Sequence, residues 1–509
     1  MMLITVKEAA QAVDGELHGG SAGDGSEAIS SVVTDSRKVE AGSLFVAIAG
    51  ERVDGHDFLG KALEAGAVAA LVDHVVDGVD IDQIVVGDTV AALGLLAKEN
   101  IRRRRVESEP FTVIGITGSV GKTTTKDLLK ALLSSQARTI APIGSFNNDI
   151  GMPLTALEVD SQTRYLVSEM GASHIGEIAY LTSIARPDIS IVLKVGVAHL
   201  GEFGSVENIQ KAKSEIVRAL DEDGVAILNV DDNHVVPMAN LAPGLVYWFG
   251  QGSDAQIRAW NVSADDHDRA SFDMKLPDVA DPLHVRLGIP GRHNVMNALA
   301  ASAAAWYLDV PAEDIVRVLG EQKRISPHRM AVSTLERAGA SFTVIDDSFN
   351  ANPDSMKAGL DGLAGWKVAE GGSAPFRIAV LGSMLELGGD EAALHRGIGE
   401  YAAGLGLDAV IAVGSDHDST LDSLAADLVE GVRAGGEGNG PVPELVHDVD
   451  AADRAVLRLA LRHPHAVVLL KGSHASGLSG LAARWERNDS VPDLAGLSEG
   501  KSIQNGETL

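Results

Sequence analysis

The residues Gly118-Ser-Val-Gly121-Lys122-Thr123-Thr124 constrain the fold of this chain more than any others. They follow a β-branched run, Phe111 to Ile116, and lead into a helical pattern from about Lys122. Glycines at such a junction let backbone N–H groups wrap around phosphate oxygens, and the helix N-terminus adds the positive end of its dipole. Lys122 is placed to reach terminal phosphates and the Thr123 hydroxyl to hold Mg²⁺, with Gly118, Gly121 and Thr124 completing a nucleotide cradle. The full pattern asks for glycine at position 116. This chain has Ile116 there, with Gly115 one place earlier.

The rest of the chain extends that unit. Tyr165 to Ser168, Ile189 to Leu193 and Val225 to Asn229 read as strands separated by helical patterns, which predicts a mostly parallel, doubly wound sheet. Ala255 to Pro290 alternates differently and is expected to add antiparallel strands before an alanine-rich helix. Upstream, Ser43 to Ile48 reads as a strand and Asp57 to Ala65 as a helix ending at Gly66. Beyond Ile325, strands at Phe342 to Ile345, Ile378 to Leu381, Ala409 to Val413 and Ala466 to Leu470 alternate with helices again. Glu107 to Pro110 reads as a linker, Glu370 to Pro375 and Gly435 to Pro443 as loops, and the last ~20 residues as a frayed end. The expected fold is therefore α/β in three domains, at residues 1–108, 109–324 and 325–509. The first is an α/β domain, the second a P-loop ATPase-like domain with a mostly parallel sheet, and the third a Rossmann-like α/β domain.

Composition narrows the chemistry. With no cysteine, disulfides, thiolate metal sites and cysteine nucleophiles are excluded. A formal net charge of −29 argues against a nucleic-acid partner, and any anionic substrate needs local positive charge, backbone N–H groups or a metal. Arg102 to Arg105 is the one dense basic run and reads as a solvated helix end. The longest apolar run, Met296 to Tyr307, is too short to span a bilayer, so no membrane insertion is expected. Lys7 and Glu8 follow the first apolar residues and no small-residue cleavage site appears, so a cytoplasmic location is expected.

Two residues stand where open sheets place ligands, at or beyond strand carboxyl ends: Glu169, and His199 in the loop after Ile189 to Leu193. Either could ligate Mg²⁺, though histidine is the less usual partner of a hard cation. With them, Ser145-Phe-Asn-Asn-Asp-Ile-Gly-Met-Pro153, Glu169-Met-Gly-Ala-Ser-His-Ile-Gly176 and Val197-Ala-His-Leu-Gly201 resemble successive segments of the Mur ligase superfamily. Its phosphate loop tolerates the missing first glycine.

The resemblance implies roles that spacing alone does not. It makes Glu169 and His199 metal-binding, His199 as a positioner of metal or substrate. It singles out Lys213 in Lys211-Ala-Lys-Ser-Glu215, whose counterpart in many members is carbamylated and approaches magnesium. Asn294 and Asn297, in Gly291-Arg-His-Asn-Val-Met-Asn297, match asparagines that meet adenine. Arg329 matches an arginine that meets ATP phosphate, and Asp347 an acid that meets ribose. Thr34-Asp-Ser36-Arg37 and Phe45-Val-Ala-Ile48 are similar to the part that grips a UDP end, which makes Ser36, Arg37 and Phe45 candidate substrate residues. Read alone, Asp35 and Arg37 look like a surface ion pair.

Asp346 to Met356 and Val380 to Gly388 look most like the branch that adds D-alanyl-D-alanine, with Ser383 where aspartate is commoner. The Asp-Asn-Pro-Arg stretch of the diaminopimelate-adding branch is missing. The implied activity is an ATP- and Mg²⁺-dependent ligase joining D-alanyl-D-alanine to UDP-N-acetylmuramoyl-tripeptide, expected as a monomer. The rivals are another ligase of the superfamily and a nucleotide switch that hydrolyses ATP without ligating.

Overall fold

The computed structural model describes residues 1–20, 25–50, 53–196, 200–367, 375–436 and 440–487. His199, most of the expected loop at 370–375, part of that at 435–443 and the last residues of the chain lie outside them.

The nine-stranded central sheet contains the predicted strands, and Thr112–Thr117 lies between Tyr165–Glu169 and Ile189–Val192. From Thr139–Ile140 at one edge to Ile257–Ala264 the pairing is parallel. Arg269–Lys275 and Leu283–Pro290 then add the expected antiparallel strands. Helices cover both faces, which is why the inner strands read as continuous Val, Ile and Leu with almost no polar alternation. The strand Leu245–Gly250, half exposed along most of its length, joins this sheet without having been foreseen.

The five-stranded sheet near the N-terminus is parallel except for Glu16–His18. Its following helix, Thr89–Arg105, ends in solvent as its four arginines suggest, with Arg102 and Arg105 exposed, except at one residue. Arg102 and Arg103 do bind Glu99, and Arg105 meets Asp188. Arg104, however, is 1% exposed and donates to the carbonyls of Thr163, Glu109 and Pro110. One apolar cluster runs from Leu93, Leu96 and Ile101 of this helix into Met152, Ala156 and Leu181 of the central unit. The polar stretch at 107–110 is thus pinned by Arg104 over a continuous core.

The six-stranded C-terminal sheet runs Ala331–Arg337, Ala340–Asp346, Ala466–Lys471, Arg377–Gly382, Ala409–Val413, Val442–Val446. Only the first strand is antiparallel. Val442–Val446 begins inside the stretch read as a loop, where Pro443 is tolerated because this strand lies at the sheet edge.

Candidate active site

The strand Thr112–Thr117 sits where chain connections leave in opposite directions, so its carboxyl end opens into a crevice of the kind that holds ligands. Gly121 closes the loop with φ +85° and caps the helix Lys122–Ser134. A methyl group there would overlap Asn297 Oδ1, so glycine is required by conformation and by contact. Gly115, the apparently displaced glycine of the motif, serves packing instead. Its bare Cα admits Ile216 of the helix Val206–Arg218, and a Cβ there would lie 2.9 Å from Ile216 Cδ1.

Two cavities meet at the loop. One, of about 490 Å³, lies between the central sheet and the C-terminal unit. The other, of about 650 Å³, runs from the loop towards Asp88 and Val90 at the start of helix Thr89–Arg105. Ser119, Lys122 and Asn147 line both, which puts Lys122 in the wall between them.

Lys122 Nζ donates to Gly118 O at 2.8 Å. Burial lowers its pKa, the Glu169 carboxylate opposes that shift, and the Arg329 charge adds to it. Glu169 Oε1 accepts from Asn147 Nδ2 at 2.7 Å, while Oε2 is buried with no hydrogen-bond partner. Leaving a carboxylate oxygen dry and unpaired is costly unless a cation completes it. With the Thr123 hydroxyl on the same cavity, the available donors are hard oxygens, which fit Mg²⁺. Lys213 lines the larger cavity, is 3% exposed, and has its pKa lowered to about 7, first by burial and then by the Lys122 charge. With a pKa near 7 about half of this amine is uncharged at neutral pH, and the uncharged form is the one nucleophilic towards CO₂, as carbamylation requires. A separate cluster, His56, Asp73 and His74, is a poorer match to Mg²⁺, and both ring nitrogens of His56 already have partners.

The smaller cavity collects Thr123, Thr124, Asn297, Arg329 and Asp347 from segments far apart in the chain. Arg329 stacks over Phe349 at 4.4 Å and its Nη2 lies 3.4 Å from Thr123 Oγ1. Asp347 is held by the buried Lys471, Nζ to Oδ2 at 2.5 Å. Asn294 does not line the cavity. It is 1% exposed, donates to Pro290 O, and accepts from Asn297 Nδ2 at 2.8 Å, so it orients Asn297 from behind.

The N-terminal candidates stand apart from both cavities. Arg37 is an exposed partner of Asp35, whose carboxyl the guanidinium holds down at about 2. Ser36 opens the same short turn. Phe45 is a correction: its ring is 1% exposed and packs with Leu59 and Ala62, because its strand is covered on both faces. Asn147, Phe349 and Lys471 were missed. The rule that flagged Glu169 applies equally to Lys471, which ends the parallel strand Ala466–Lys471.

Comparison with known proteins identifies the family. The chain matches the family profile described as Mur ligase family, catalytic domain, over residues 28–116. It matches Mur ligase middle domain over 116–305 and Mur ligase, glutamate ligase domain, over 328–474. A UDP-N-acetylmuramoyl-tripeptide–D-alanyl-D-alanine ligase of Mycobacterium tuberculosis (strain ATCC 25618 / H37Rv) is 39% identical over 508 residues, covering 95% of this chain and 97% of the relative. The chain belongs to the Mur ligase family. The Escherichia coli (strain K12) ligase of the same description is 35% identical to this Mur ligase over 81% of the chain and 86% of its own length. Among solved structures, MurF from Acinetobacter baumannii superposes with a TM-score of 0.80 at 32% identity, covering 96% of this chain and 99% of the other. MurF ligase from Thermotoga maritima in complex with ADP gives 0.71 at 27% identity, covering 90% and 97%.

Proposed function

We propose that this Mur ligase joins D-alanyl-D-alanine to UDP-N-acetylmuramoyl-tripeptide at the expense of ATP, giving UDP-N-acetylmuramoyl-pentapeptide, ADP and phosphate. The observation that carries the reading is Lys122 in the wall shared by two cavities, one suited to a nucleotide and the other to an acceptor. ATP in the smaller cavity would extend its γ-phosphate past Lys122. A tripeptide carboxylate arriving through the larger cavity would attack that phosphorus, forming an acyl phosphate and releasing ADP. The D-alanyl-D-alanine amine then attacks the acyl carbon, and phosphate leaves.

Asn297, oriented by Asn294, is assigned to adenine, Asp347 to ribose, and Arg329 with the Gly118–Thr124 loop to phosphate. Thr123 and Glu169 would hold Mg²⁺, and His199 and a carbamylated Lys213 are assigned to the same ion. Bound there, the metal would neutralise charge on the transferring phosphoryl group. Ser36 and Arg37 are assigned to the UDP end of the substrate, where Arg37 could exchange Asp35 for a diphosphate. A cytoplasmic location goes with this reading, since ATP and a UDP-linked substrate are met inside the cell. No helix among the described residues is long and apolar enough to cross a membrane.

The test is phosphate release from Mg·ATP with UDP-N-acetylmuramoyl-tripeptide, with and without D-alanyl-D-alanine, while the product mass is followed. Release that needs both substrates and matches pentapeptide supports the assignment. Release that ignores both would point to an ATP-hydrolysing switch, and product with another amine would point to another ligase of the family.

A further inference from the structure

Ser326 lies in the segment between helix Ala312–Glu321 and strand Ala331–Arg337, three residues before Arg329. Its backbone N–H donates to Asp127 Oδ2 at 2.8 Å. The other carboxylate oxygen of Asp127 pairs with Lys126 Nζ at 2.8 Å. Lys126 is 0% exposed, and its ammonium also donates to Pro142 O at 2.7 Å and Gly144 O at 2.9 Å, and lies 3.3 Å from Ser326 Oγ. Both residues stand about one turn beyond Lys122 on the helix Lys122–Ser134. A buried, fully partnered ammonium resists displacement, because moving it would leave a dry charge unpaired. Ser326 is therefore fastened to the phosphate-binding helix.

Beyond Ser326 the chain is held from the C-terminal side. His328 and Met330 both adopt left-handed backbone, φ +60° and +47°, a conformation that side chains of this size take up only when their surroundings impose it. His328 Nδ1 meets Asp346 Oδ2 at 2.7 Å, and the Met330 N–H donates to Asp347 Oδ1 at 3.3 Å. Arg329 projects from between these two anchors to Phe349 and Thr123.

We propose that Asp127, braced by Lys126, is a positioning residue that acts through Ser326 to set where Arg329 enters the nucleotide cavity. Neither Asp127 nor Lys126 lines that cavity, so any effect on nucleotide must pass through another residue. The arrangement refers Arg329, which comes from the C-terminal unit, to the same rigid helix that carries Lys122 and Thr123. It rests on the reading of the smaller cavity as a nucleotide site.

The test is a double-mutant cycle on the full chain, read by Mg²⁺-dependent binding of the fluorescent nucleotide mant-ADP. Arg329→Ala is expected to weaken binding about 10- to 100-fold, the loss of a charge-assisted hydrogen bond. Asp127→Ala should weaken it about 5- to 20-fold in the natural background and less than about twofold when Arg329 is already alanine. Equal losses in both backgrounds, or no loss in the natural one, would overturn the proposal and leave Asp127 a structural residue. Thermal unfolding of each variant reports folding. Should Asp127→Ala not fold, Asp127→Asn keeps an acceptor for the Ser326 N–H, and the same cycle with it is expected to show a smaller loss that again vanishes without Arg329. A natural chain that binds no mant-ADP would instead overturn the nucleotide reading, and this inference with it.

Discussion

Replacing Gly121 by alanine perturbs the phosphate loop in two separable ways. Its φ of +85° lies in the left-handed region, where a side chain costs about 1–2 kcal/mol. The new methyl group would also displace Asn297, whose amide receives a hydrogen bond from Thr125 Oγ1 at 3.3 Å and gives one to Asn294 Oδ1 at 2.8 Å. Each of those bonds contributes about 0.5–1.5 kcal/mol. Together the terms reach about 2–5 kcal/mol, and the part that falls on the nucleotide site is expected to weaken Mg·ADP binding by at least about tenfold. Gly78 supplies the control. It has a similar φ of +80° with nothing within 4 Å of an added Cβ, so Gly78→Ala should carry the conformational cost alone and leave nucleotide affinity unchanged. The assay pairs mant-ADP titration with thermal unfolding of both variants. Nucleotide affinity of Gly121→Ala within about threefold of the natural chain would refute the argument that Asn297 and the loop are mechanically coupled, since about 0.6 kcal/mol is less than the roughly 1–3 kcal/mol the two bonds contribute together.

Three further outcomes follow from the same geometry. Lys122→Ala should lower turnover by about 10³-fold or more without lowering the melting temperature, because it removes a buried ammonium whose charge the fold already disfavours. Near-normal turnover would remove Lys122 from the phosphate loop's function. Lys213 has a folded pKa of about 7 against 10.5 for the free side chain, so the folded state resists its protonation and the natural chain should gain stability relative to Lys213→Met as pH rises from about 7 towards 10.5. In CO₂-depleted buffer near pH 8 activity should fall and return on adding bicarbonate; indifference to bicarbonate would sink the carbamylation assignment. Arg104→Met should destabilise by about 3 kcal/mol, since it strips donors from three carbonyls, and lower the melting temperature by about 3–5 °C for a cooperative unit of this size. An unchanged melting temperature would mean that water replaces the guanidinium there without cost.

What the sequence determined is whatever depends on neighbours along the chain. Strand-loop-helix order, the period of the apolar residues and the carboxyl ends of strands are local properties, and they led to the parallel sheets, the phosphate loop and Glu169. Asp35 and Arg37, two residues apart, were legible as a pair for the same reason. What only the tertiary structure decided is environment, because burial and partnership depend on segments that meet from well beyond the local stretch of chain. The run Arg102 to Arg105 has one composition, yet Arg104 alone turns inward because the carbonyl of Thr163 waits there. Phe45 lies in a stretch similar to a ligand-gripping segment, and the fold covers its ring. Lys213 looks like any helix-face lysine until the fold buries it beside Lys122, and that burial, invisible in the order of residues, lowers the pKa of its amine.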